Sequence, residues 1–425
     1  MRAVVVALGK IGLPLAVQLA RTGHDVIGCD IDPRVVDSVN AALEPFPGEA
    51  DLGSLLREVV GAGRLRATTD TRAAVATRPD LVVLVPPLLV DADAHPDWRI
   101  LDAVVADVSA GLAVREGDPA PLVQTTVAVE TTVPVGTTRG RVAPALEAGS
   151  GLVAGDGFHV VFSPERVFSG RVFADLATYP KLVGGLDAAG EARGVALYGA
   201  FLPGVEVRGM GGAEAAELTK LAETTYRDVN IALANEFARH ADALGLDVRA
   251  VIDAANSQPY SHIHRPGVAV GGHCIPVYPR FYLAGDPEAK LPAAAREINE
   301  AMPAYAVDLL GDVAGQTVLI LGVAYRGGVK ESAFSGAFGL RDELTRRGAR
   351  PVASDPLYDA AELAALGFSA WTGEPVDAAV LQADHAEYSE LAPSDLPGIG
   401  TVVDGRGVLD PARWPGVAVR RIGRP

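Results

Sequence analysis

One cysteine of the chain follows a pair of glycines, in the segment VGGHCIP at residues 270–276. Glycines just before a cysteine expose its sulfur and let backbone N–H groups point towards it. That arrangement suits a nucleophile that must also stabilise an oxyanion, here Cys274. A lone cysteine is more commonly a buried apolar residue, so the residues alone leave both interpretations open. Cys29 follows an apolar run, and we interpret it as a packing residue, with proximity to a cofactor as the alternative.

The N-terminal segment has the spacing of a dinucleotide-binding turn. Residues 9–12, Gly9-Lys10-Ile11-Gly12, lie between an apolar run and a helical pattern, and Asp30 stands 18 residues beyond Gly12. In such a turn Gly9 lets the backbone approach a pyrophosphate, Gly12 lets helix and strand pack closely, and Asp30 binds ribose hydroxyls. The pattern predicts a bound NAD. A βαβ unit that binds no nucleotide is the alternative.

Two residues modify this fingerprint. Ala7 occupies the position of its first glycine, so the tight turn must tolerate a methyl group. Arg34 follows Asp30 by about one helical turn and could bind the 2′-phosphate of NADP, whereas the Asp30 carboxylate would repel that phosphate. We therefore expect NAD to be preferred over NADP.

Around these residues the sequence alternates between β-branched runs and helical stretches. Strands are predicted at Ala3–Ala7, Asp25–Cys29, Leu81–Val85, Leu122–Val129, His159–Phe162, Gln316–Leu321 and Pro351–Ser354, and helices at Leu13–Arg21 and Phe338–Arg347. Such alternation is typical of α/β proteins with a mostly parallel sheet. Because the βαβ pattern returns after residue 316, we predict two doubly wound domains.

A long helix is predicted between the two domains, from Ala213 to Leu244. The segment contains no proline, and small or apolar residues recur in it at helical spacing. At 1.5 Å per residue it would be about 48 Å long, which suits a spine shared by two domains or two subunits. We expect a homodimer. The predicted domain bounds are 1–204, 205–303 and 304–425.

Size and composition favour a multidomain enzyme. The chain has 425 residues, 49% of them hydrophobic, and a formal net charge of −16 without long runs of one sign. A nucleic-acid partner is therefore not expected. No stretch reaches the ~18 uninterrupted apolar residues of a membrane span, and the two cysteines have no metal-ligand spacing. We expect a cytoplasmic protein without a metal site or a membrane partner.

Several longer motifs carry a family resemblance over nearly the whole chain. They are LGKIGLPLA, CDIDP, ETTVPVGTT, FSPERV, ELTKLAETTYRDVNIALANE, RPGVAVGGHCIPV and LGVAYRGGVKESAFSG, in this order. The sequence resembles the UDP-glucose/GDP-mannose dehydrogenase family, and GGHCIPV resembles its branch that oxidises UDP-N-acetylhexosamines. The resemblance implies an N-terminal NAD-binding Rossmann domain, a central helical dimerisation region and a C-terminal Rossmann-like domain that holds UDP.

The same resemblance assigns catalytic roles to four residues. It implies that Cys274 is the nucleophile, Lys220 the helix lysine near the sugar C6 oxygen, Glu165 the acid of the SPE motif, and Thr132 a residue that helps to hold a water. A lysine in this helix could stabilise an alkoxide and lower a thiolate pKa, or be a solvated surface residue. Glu165 could activate the hydrolytic water or form an ion pair with Arg166.

The chain departs from the common family pattern at four positions. Thr224 stands where an asparagine is usual, Tyr278 where an aspartate is usual, Ala333 where an arginine is common and Pro87 where a threonine is common. Thr224 can still donate a hydrogen bond, but Tyr278 cannot act as a carboxylate base. More of the water activation would then fall to Glu165.

Substrate recognition is expected to involve arginines and the loops around Cys274. The residues predicted to bind substrate are Arg265, Gly271, Gly272, Tyr325 and Arg326. Arg265 could reach the site of a neighbouring subunit, as related arginines do, and either arginine could instead be a surface charge.

The expected activity is a two-step, four-electron oxidation of a UDP-sugar C6 alcohol to the uronic acid, with NAD as the oxidant and a covalent intermediate on Cys274. Alternatives are a UDP-sugar isomerase or lyase that recycles bound NAD, a single-step UDP-sugar alcohol dehydrogenase, and a UDP-sugar-binding protein without turnover. The number of NADH molecules formed per sugar separates them.

Overall fold

The computed structural model describes residues 1–46, 48–91, 93–113, 125–168 and 170–424. The chain divides into two compact units. The first comprises Met1–Ala222 and Arg280–Gly285, and the second Glu223–Pro279 and Asp286–Pro425. The three-part division expected above stays a prediction.

The first unit is a doubly wound α/β structure. Its strands are β1 (Arg2–Val6), β2 (Asp25–Cys29), β3 (Leu65–Thr68), β4 (Leu81–Leu84), β5 (Thr126–Val129), β6 (His159–Phe162), β7 (Lys181–Gly185) and β8 (Val207–Gly209). Its helices are α1 (Gly12–Arg21), α2 (Pro33–Asn40), α3 (Leu52–Gly61), α4 (Thr71–Ala76), α5 (Arg99–Leu112), a π-helical turn (Thr138–Val142), α6 (Ala143–Ser150), α7 (Val172–Leu176) and α8 (Ala188–Phe201).

The eight strands form one sheet in the order β3-β2-β1-β4-β5-β6-β7-β8. All neighbouring pairs are parallel except β6 and β7, which are antiparallel. The first six strands have the 3-2-1-4-5-6 order of a dinucleotide-binding fold, which places the ends of β1 and β4 at its topological switch point. Strands such as β4 and β5 are buried along their whole length, as expected when helices cover both faces of a sheet.

A single helix, α9 (Ala213–Leu244), has the bounds predicted from the sequence. The second unit contains the part of α9 from residue 223 onward. Its other elements are α10 (Val248–Ala255), α11 (Tyr278–Gly285, divided between the units), α12 (Lys290–Glu300), α13 (Met302–Asp308), β9 (Thr317–Leu321), α14 (Gly336–Arg346), β10 (Arg350–Ser354), α15 (Ala360–Ala365), β11 (Ala378–Leu381), β12 (Thr401–Asp404) and β13 (Ala418–Arg421).

The second sheet is parallel throughout, in the order β10-β9-β11-β12-β13. Helix α14 packs on one side of it through Ala337, Leu340 and Leu344, which belong to the same core as Val318 and Ile320 of β9. The predicted α/β fold with two doubly wound regions and a long central helix is confirmed. Within the described residues, no helix combines the length and apolar composition needed to cross a membrane.

Several predicted bounds need correction, most of them by a single residue. Strand β1 ends at Val6, because Ala7 adopts a left-handed backbone with φ 76°. Helix α14 begins at Gly336 rather than at Phe338, because the hydroxyl of Ser335 caps it by accepting from the N–H of Ala337 at 3.2 Å. Strand β5 begins at Thr126, and residues 122–124 of the predicted strand lie outside the described residues.

Candidate active site

The turn between β1 and α1 has the geometry of a phosphate-binding loop. A Cβ atom on Gly12 would lie 1.9 Å from the carbonyl oxygen of Ala7, so only glycine fits there. A Cβ on Gly9 would meet no described atom within 4 Å, which leaves open space over the turn. Ala7 tolerates its left-handed conformation at a cost of roughly 1–2 kcal/mol. Lys10 is exposed at the turn, and Ile11 is the N-cap residue of α1, without a side-chain capping bond.

Asp30 ties the end of β2 to this turn. One of its carboxylate oxygens accepts from the N–H of Leu8 at 2.8 Å, and the other from the N–H of Asp32 at 2.9 Å. Arg34 is bound side-on to Asp32, with Nε–Oδ1 at 3.0 Å and a terminal nitrogen to Oδ2 at 2.7 Å. Asp32 thus engages the Arg34 guanidinium, which the sequence analysis considered as a partner for the 2′-phosphate of NADP. Gly9, Gly12 and Asp30 thus fit a dinucleotide.

A second group of functional side chains in the first unit surrounds Glu165, which follows β6. The Nζ of Lys220 on α9 donates to the backbone carbonyl oxygen of Glu165. One carboxylate oxygen of Glu165 accepts from the N–H of Arg166 at 2.8 Å, and the other lies 3.0 Å from the Nζ of Lys181. The carboxylate therefore pairs with Lys181, a partner that the sequence analysis did not name.

Lys181 opens β7 and contacts a second carboxylate. Its Nζ lies 2.8 Å from Oε2 of Glu130, the residue directly after β5. The other oxygen of Glu130 accepts a hydrogen bond from the hydroxyl of Tyr198 on α8, and the Lys181 Nζ stands 5.1 Å from the centre of the Tyr198 ring. The Lys181 and Glu130 side chains are only 5% and 0% exposed.

The two carboxylates of this group differ in proton affinity. Burial raises the pKa of Glu130 to about 7, against the opposing effect of the Lys181 charge. Burial also disfavours ionisation of Glu165, but the charge of Lys181 and the N–H of Arg166 outweigh it and hold the pKa of Glu165 below its usual value. Glu165 is thus available as a carboxylate near neutral pH.

The loop that contains Thr132 is joined to the start of α9. The buried carboxylate of Glu217 accepts from the N–H groups of Gly136 at 2.6 Å and Thr138 at 2.8 Å. Glu217 lies one turn before Lys220 on α9, so these bonds fix the helix against the segment that follows Thr132. Thr132 is itself buried, with 5% of its surface exposed.

In the second unit, the Cys274 thiol is exposed, whereas Cys29 in the first unit is buried. The carbonyl oxygen of Cys274 accepts a hydrogen bond from the N–H of Tyr278 at 2.9 Å, and Tyr278 is the first residue of α11. The imidazole of His273 lies 3.3 Å from a carboxylate oxygen of Glu331. Burial raises the pKa of the Cys29 thiol to about 12, which suits its interpretation as a packing residue.

The two glycines before Cys274 serve packing against Tyr325. A Cβ on Gly271 would lie 2.6 Å from the Cβ of Tyr325, and Gly272 has a left-handed backbone with φ 89°. The N–H of Gly272 donates to the carbonyl oxygen of Ala333 at 2.8 Å. The amide of Gly272 therefore supports the loop and does not point at the sulfur.

A cavity of about 350 Å³ lies beside this loop, entirely within the second unit. Four of the five residues predicted to bind substrate line it: Arg265, Gly271, Tyr325 and Arg326. Sequence reasoning missed three further arginines in its wall, Arg227, Arg249 and Arg406, and Asp384 is the one acidic side chain among its lining residues. Five guanidinium groups around one cavity give it a positive potential, which would attract an anion.

These arginines are held by hydrogen bonds from different elements. A terminal nitrogen of Arg406 donates to the carbonyl oxygen of Tyr325 at 3.1 Å. A terminal nitrogen of Arg249 donates to the carbonyl oxygen of Arg406 at 2.6 Å. The Nε of Arg326 donates to the Tyr325 hydroxyl at 3.0 Å. Arg265 forms an ion pair with Asp253. The sequence offered no spacing that would bring them together.

The predicted catalytic residues fall in both units. Thr132, Glu165 and Lys220 belong to the first, and Thr224 and Cys274 to the second. Lys220 and Glu165 are in contact, as described above. Thr224 is buried one turn beyond Lys220 on α9. Their catalytic roles stay predictions.

Comparison with known proteins agrees with this architecture. Three domain profiles of the UDP-glucose/GDP-mannose dehydrogenase family match the chain: the NAD binding domain at residues 1–202, the central domain at 214–301 and the UDP binding domain at 319–411. A UDP-N-acetyl-D-mannosamine dehydrogenase of Pyrococcus horikoshii is 33% identical, with 96% of each chain covered. An NDP-N-acetyl-D-galactosaminuronic acid dehydrogenase of Ralstonia solanacearum is 32% identical, again with 96% of each covered.

Solved structures give the same result. The structure of UDP-D-ManNAc dehydrogenase from Pyrococcus horikoshii superposes with a TM-score of 0.88 at 31% identity, covering 100% of this chain and 99% of the other. The chain therefore belongs to the UDP-glucose/GDP-mannose dehydrogenase family and is an NAD-dependent nucleotide-sugar dehydrogenase. The predictions of the family and of NAD as cofactor are confirmed.

The Asp30 carboxylate should control cofactor choice. Asp30→Ala should remove the predicted ribose contact and the repulsion of a 2′-phosphate together. Since a hydrogen bond to a charged group is worth about 1.5–3 kcal/mol, the ratio of kcat/KM for NADP to that for NAD should rise by about tenfold or more. Steady-state kinetics with both cofactors measure it. Asp25→Ala, which removes an exposed carboxylate from the start of β2, is the control. An unchanged ratio in Asp30→Ala would remove Asp30 from the cofactor site.

Proposed function

We propose that this enzyme oxidises the C6 alcohol of a UDP-N-acetylhexosamine to the uronic acid in two NAD-dependent steps, through a covalent intermediate on Cys274. One observation supports this most strongly. The loop that lines the arginine cavity, from Gly267 to Gly271, leads within three residues to the exposed Cys274 thiol. An anion-binding wall and a nucleophile on one loop suit a substrate with a diphosphate and an oxidisable carbon.

The proposed chemistry proceeds in three stages. Bound NAD accepts one hydride in each oxidation. The C6 alcohol first loses a proton and a hydride and becomes the aldehyde. The Cys274 sulfur adds to the aldehyde carbon and forms a thiohemiacetal, which loses a second proton and hydride to give a thioester. Water then attacks the thioester carbon, the C–S bond breaks, and the acid leaves as the thiol is restored.

Lys220 would stabilise the negative charge that forms on oxygen, and Glu165 would accept a proton. The Lys220 ammonium can donate to the C6 oxygen as it becomes an alkoxide, and later to the oxyanion of the thioester hydrolysis. The Glu165 carboxylate can take the proton of the attacking water. Thr132 would help to hold that water, and Thr224 would donate a hydrogen bond to the substrate oxygen. Tyr278 offers no carboxylate, which leaves Glu165 as the base.

The arginine cavity would bind the diphosphate of the UDP-sugar. Arg326 and Arg265 are predicted contacts, and Arg249 and Arg406 add charge to the same wall. The match of residues 319–411 to a UDP binding domain supports this assignment. Arg265 lines the cavity of its own unit and forms an ion pair with Asp253. These contacts favour substrate binding in this cavity over a role in the site of a neighbouring subunit.

The N-acetylhexosamine is proposed from the GGHCIPV motif and from the activities for which the two relatives are named. A panel of UDP-sugars with NAD, followed by mass spectrometry of the products, tests it. We expect kcat/KM for UDP-N-acetylhexosamines to exceed that for UDP-glucose by at least about tenfold, the effect of a few contacts. Preferred oxidation of UDP-glucose would contradict the substrate assignment and leave the reaction type standing.

We propose further that the protein acts as a homodimer through α9. Four side chains of this helix, Tyr226, Leu233, Phe237 and Leu244, are 54%, 45%, 39% and 57% exposed. At 100° per residue they fall within about 40° of one another on the helix. An exposed apolar stripe of this kind marks an interaction surface, and a second copy of the helix would cover it symmetrically.

The double substitution Leu233→Glu with Phe237→Glu should break this dimer, because like charges would be buried opposite one another. Light scattering after gel filtration should give twice the chain mass for the wild type and the single chain mass for the variant at micromolar concentration. Val153→Glu is the matched control, since Val153 is 61% exposed on the first unit. A monomeric wild type would refute the proposal.

The mechanism needs Cys274 as a free thiol, so we propose a reducing compartment such as the cytoplasm as its place of action. An exposed cysteine next to glycines would be lost to oxidation in an oxidising compartment.

A further inference from the structure

The proposed mechanism leaves one buried group without a use. Glu130, Lys181 and Tyr198 come from the end of β5, the start of β7 and the middle of α8, and they form a continuous chain of polar contacts that ends on the Glu165 carboxylate. Assembling these charges in the core is costly, because each loses its hydration. Apolar side chains of similar size would stabilise the fold at least as well. Stability alone does not explain the group.

We propose that Lys181 is a positioning residue that holds the Glu165 carboxylate, and that Glu130 is the counter-carboxylate that sets how strongly Lys181 does so. The inference rests on the proposed function, in which Glu165 activates the hydrolytic water. Neither Lys181 nor Glu130 is assigned a contact with substrate, and both act through Glu165.

The geometry makes Lys181 the shared partner of two carboxylates. Its Nζ lies 3.0 Å from Oε2 of Glu165 and 2.8 Å from Oε2 of Glu130. A bond to one oxygen of Glu165, with the other held by the N–H of Arg166 at 2.8 Å, fixes the plane of that carboxylate. The remaining lone pairs of the carboxylate therefore keep a fixed orientation. A general base needs this in order to accept a proton from a bound water.

The charge of Glu130 should control how strongly Lys181 lowers the proton affinity of Glu165. When Glu130 is protonated, the Lys181 charge acts on Glu165 alone and makes it a weak base. When Glu130 ionises, Lys181 is shared, and the proton affinity of Glu165 rises. A stronger base takes the proton of water faster, so thioester hydrolysis should accelerate as the pH rises through the titration of Glu130, whose pKa burial raises to about 7.

The charged and titratable groups around Glu130 and Glu165 come from three elements and from the segment after β6. Lys181 lies on β7, Tyr198 on α8 and Lys220 on α9, and Arg166 follows Glu165 in the chain. Lys181 and the Tyr198 hydroxyl favour the ionised form of Glu130, while the Glu165 charge opposes it. Lys181, and to a smaller extent Lys220, favour ionised Glu165. Glu165 therefore stays a carboxylate while Glu130 titrates, and only its basicity changes.

Two variants test the proposal with a pH profile that a structural role would not move. In the wild type, the rate of acid release should inflect near neutral pH. Glu130→Gln keeps the shape and removes the titration, so the inflection should vanish and the rate at about pH 8 should fall by roughly tenfold. Tyr198→Phe removes a donor that stabilises ionised Glu130, so the inflection should move up by roughly one unit.

The first hydride transfer serves as the internal control. Its rate, followed as the first NADH in stopped flow, should keep its pH dependence in both variants. Asp187→Asn is the matched control variant, since it removes a carboxylate that caps α8 through the N–H of Gly190 at 2.7 Å. An inflection in acid release that persists in Glu130→Gln, or an unmoved one in Tyr198→Phe, would overturn the proposal.

An observation on the free enzyme separates this proposal from the proposed function. Infrared difference spectra against pH should show a buried carboxyl band that titrates near neutral pH and is absent from Glu130→Gln. Absence of that band from the wild type contradicts the role of Glu130, even if the acid forms with two NADH. Failure to form any acid would instead contradict the proposed function, while the band would still report on Glu130 and Lys181.

Discussion

Replacing Cys274 with serine is expected to slow release of the uronic acid by at least about a thousandfold, because the sulfur is needed for the second oxidation. A serine hydroxyl lacks the accessible anion of a thiol, and an ester leaves less readily than a thioester. The first hydride transfer does not need the sulfur. Aldehyde or a trapped adduct should therefore accumulate with no more than one NADH per sugar, as measured by absorbance and product mass.

Cys29→Ala is the control for this experiment. Cys29 is buried in β2, and burial raises the pKa of its thiol to about 12, so it should be inert. The control should keep acid formation, and iodoacetamide should label the exposed Cys274 in it as in the wild type. A Cys274→Ser variant that still released acid at a near wild-type rate would make Cys274 a packing residue.

Replacing Glu165 with glutamine should slow the reaction at thioester hydrolysis, after both oxidations have taken place. The amide keeps the shape of the side chain but cannot take a proton from water, which should slow hydrolysis by about 10²–10⁴-fold. Both oxidations should still occur once. We expect a burst of two NADH per active site, followed by slow turnover, and intact-protein mass spectrometry should find an acyl group on Cys274.

A conservative comparison strengthens this prediction. Glu165→Asp retains a carboxylate on a shorter side chain and should recover part of the hydrolysis rate, whereas Glu165→Gln should not. If Glu165→Gln turned over at the wild-type rate without a burst, another group would have to activate the water. The water-activation role proposed for Glu165 would then be wrong.

The fold could be predicted from the sequence because local patterns determine it. Short β-branched runs alternate with helical stretches, and the proline-free segment from Ala213 to Leu244 forms one helix with the predicted bounds. The missed bounds have local causes. The left-handed backbone of Ala7 and the capping of α14 by Ser335 depend on single residues whose conformation a periodic pattern does not reveal.

The site was predicted only in part, because its residues are brought together by the fold. Gly271 and Cys274 lie three residues apart in one motif, which the sequence shows directly. Arg249 and Arg406 are 157 residues apart and meet only through the packing of the second unit. Lys181 and Glu130 stand at the ends of buried strands, and a charge in that position was the signal that could have drawn attention to them.

The measurement that tests the central claim most directly is the number of NADH molecules formed per sugar acid released by the wild-type enzyme. A four-electron oxidation through a Cys274 thioester predicts two, with the acid as the final product. One NADH and a free aldehyde would instead identify a single-step alcohol dehydrogenase, with the missing carboxylate at Tyr278 as the suspected cause. No net NADH, with an altered sugar, would indicate an isomerase or lyase and would contradict the account.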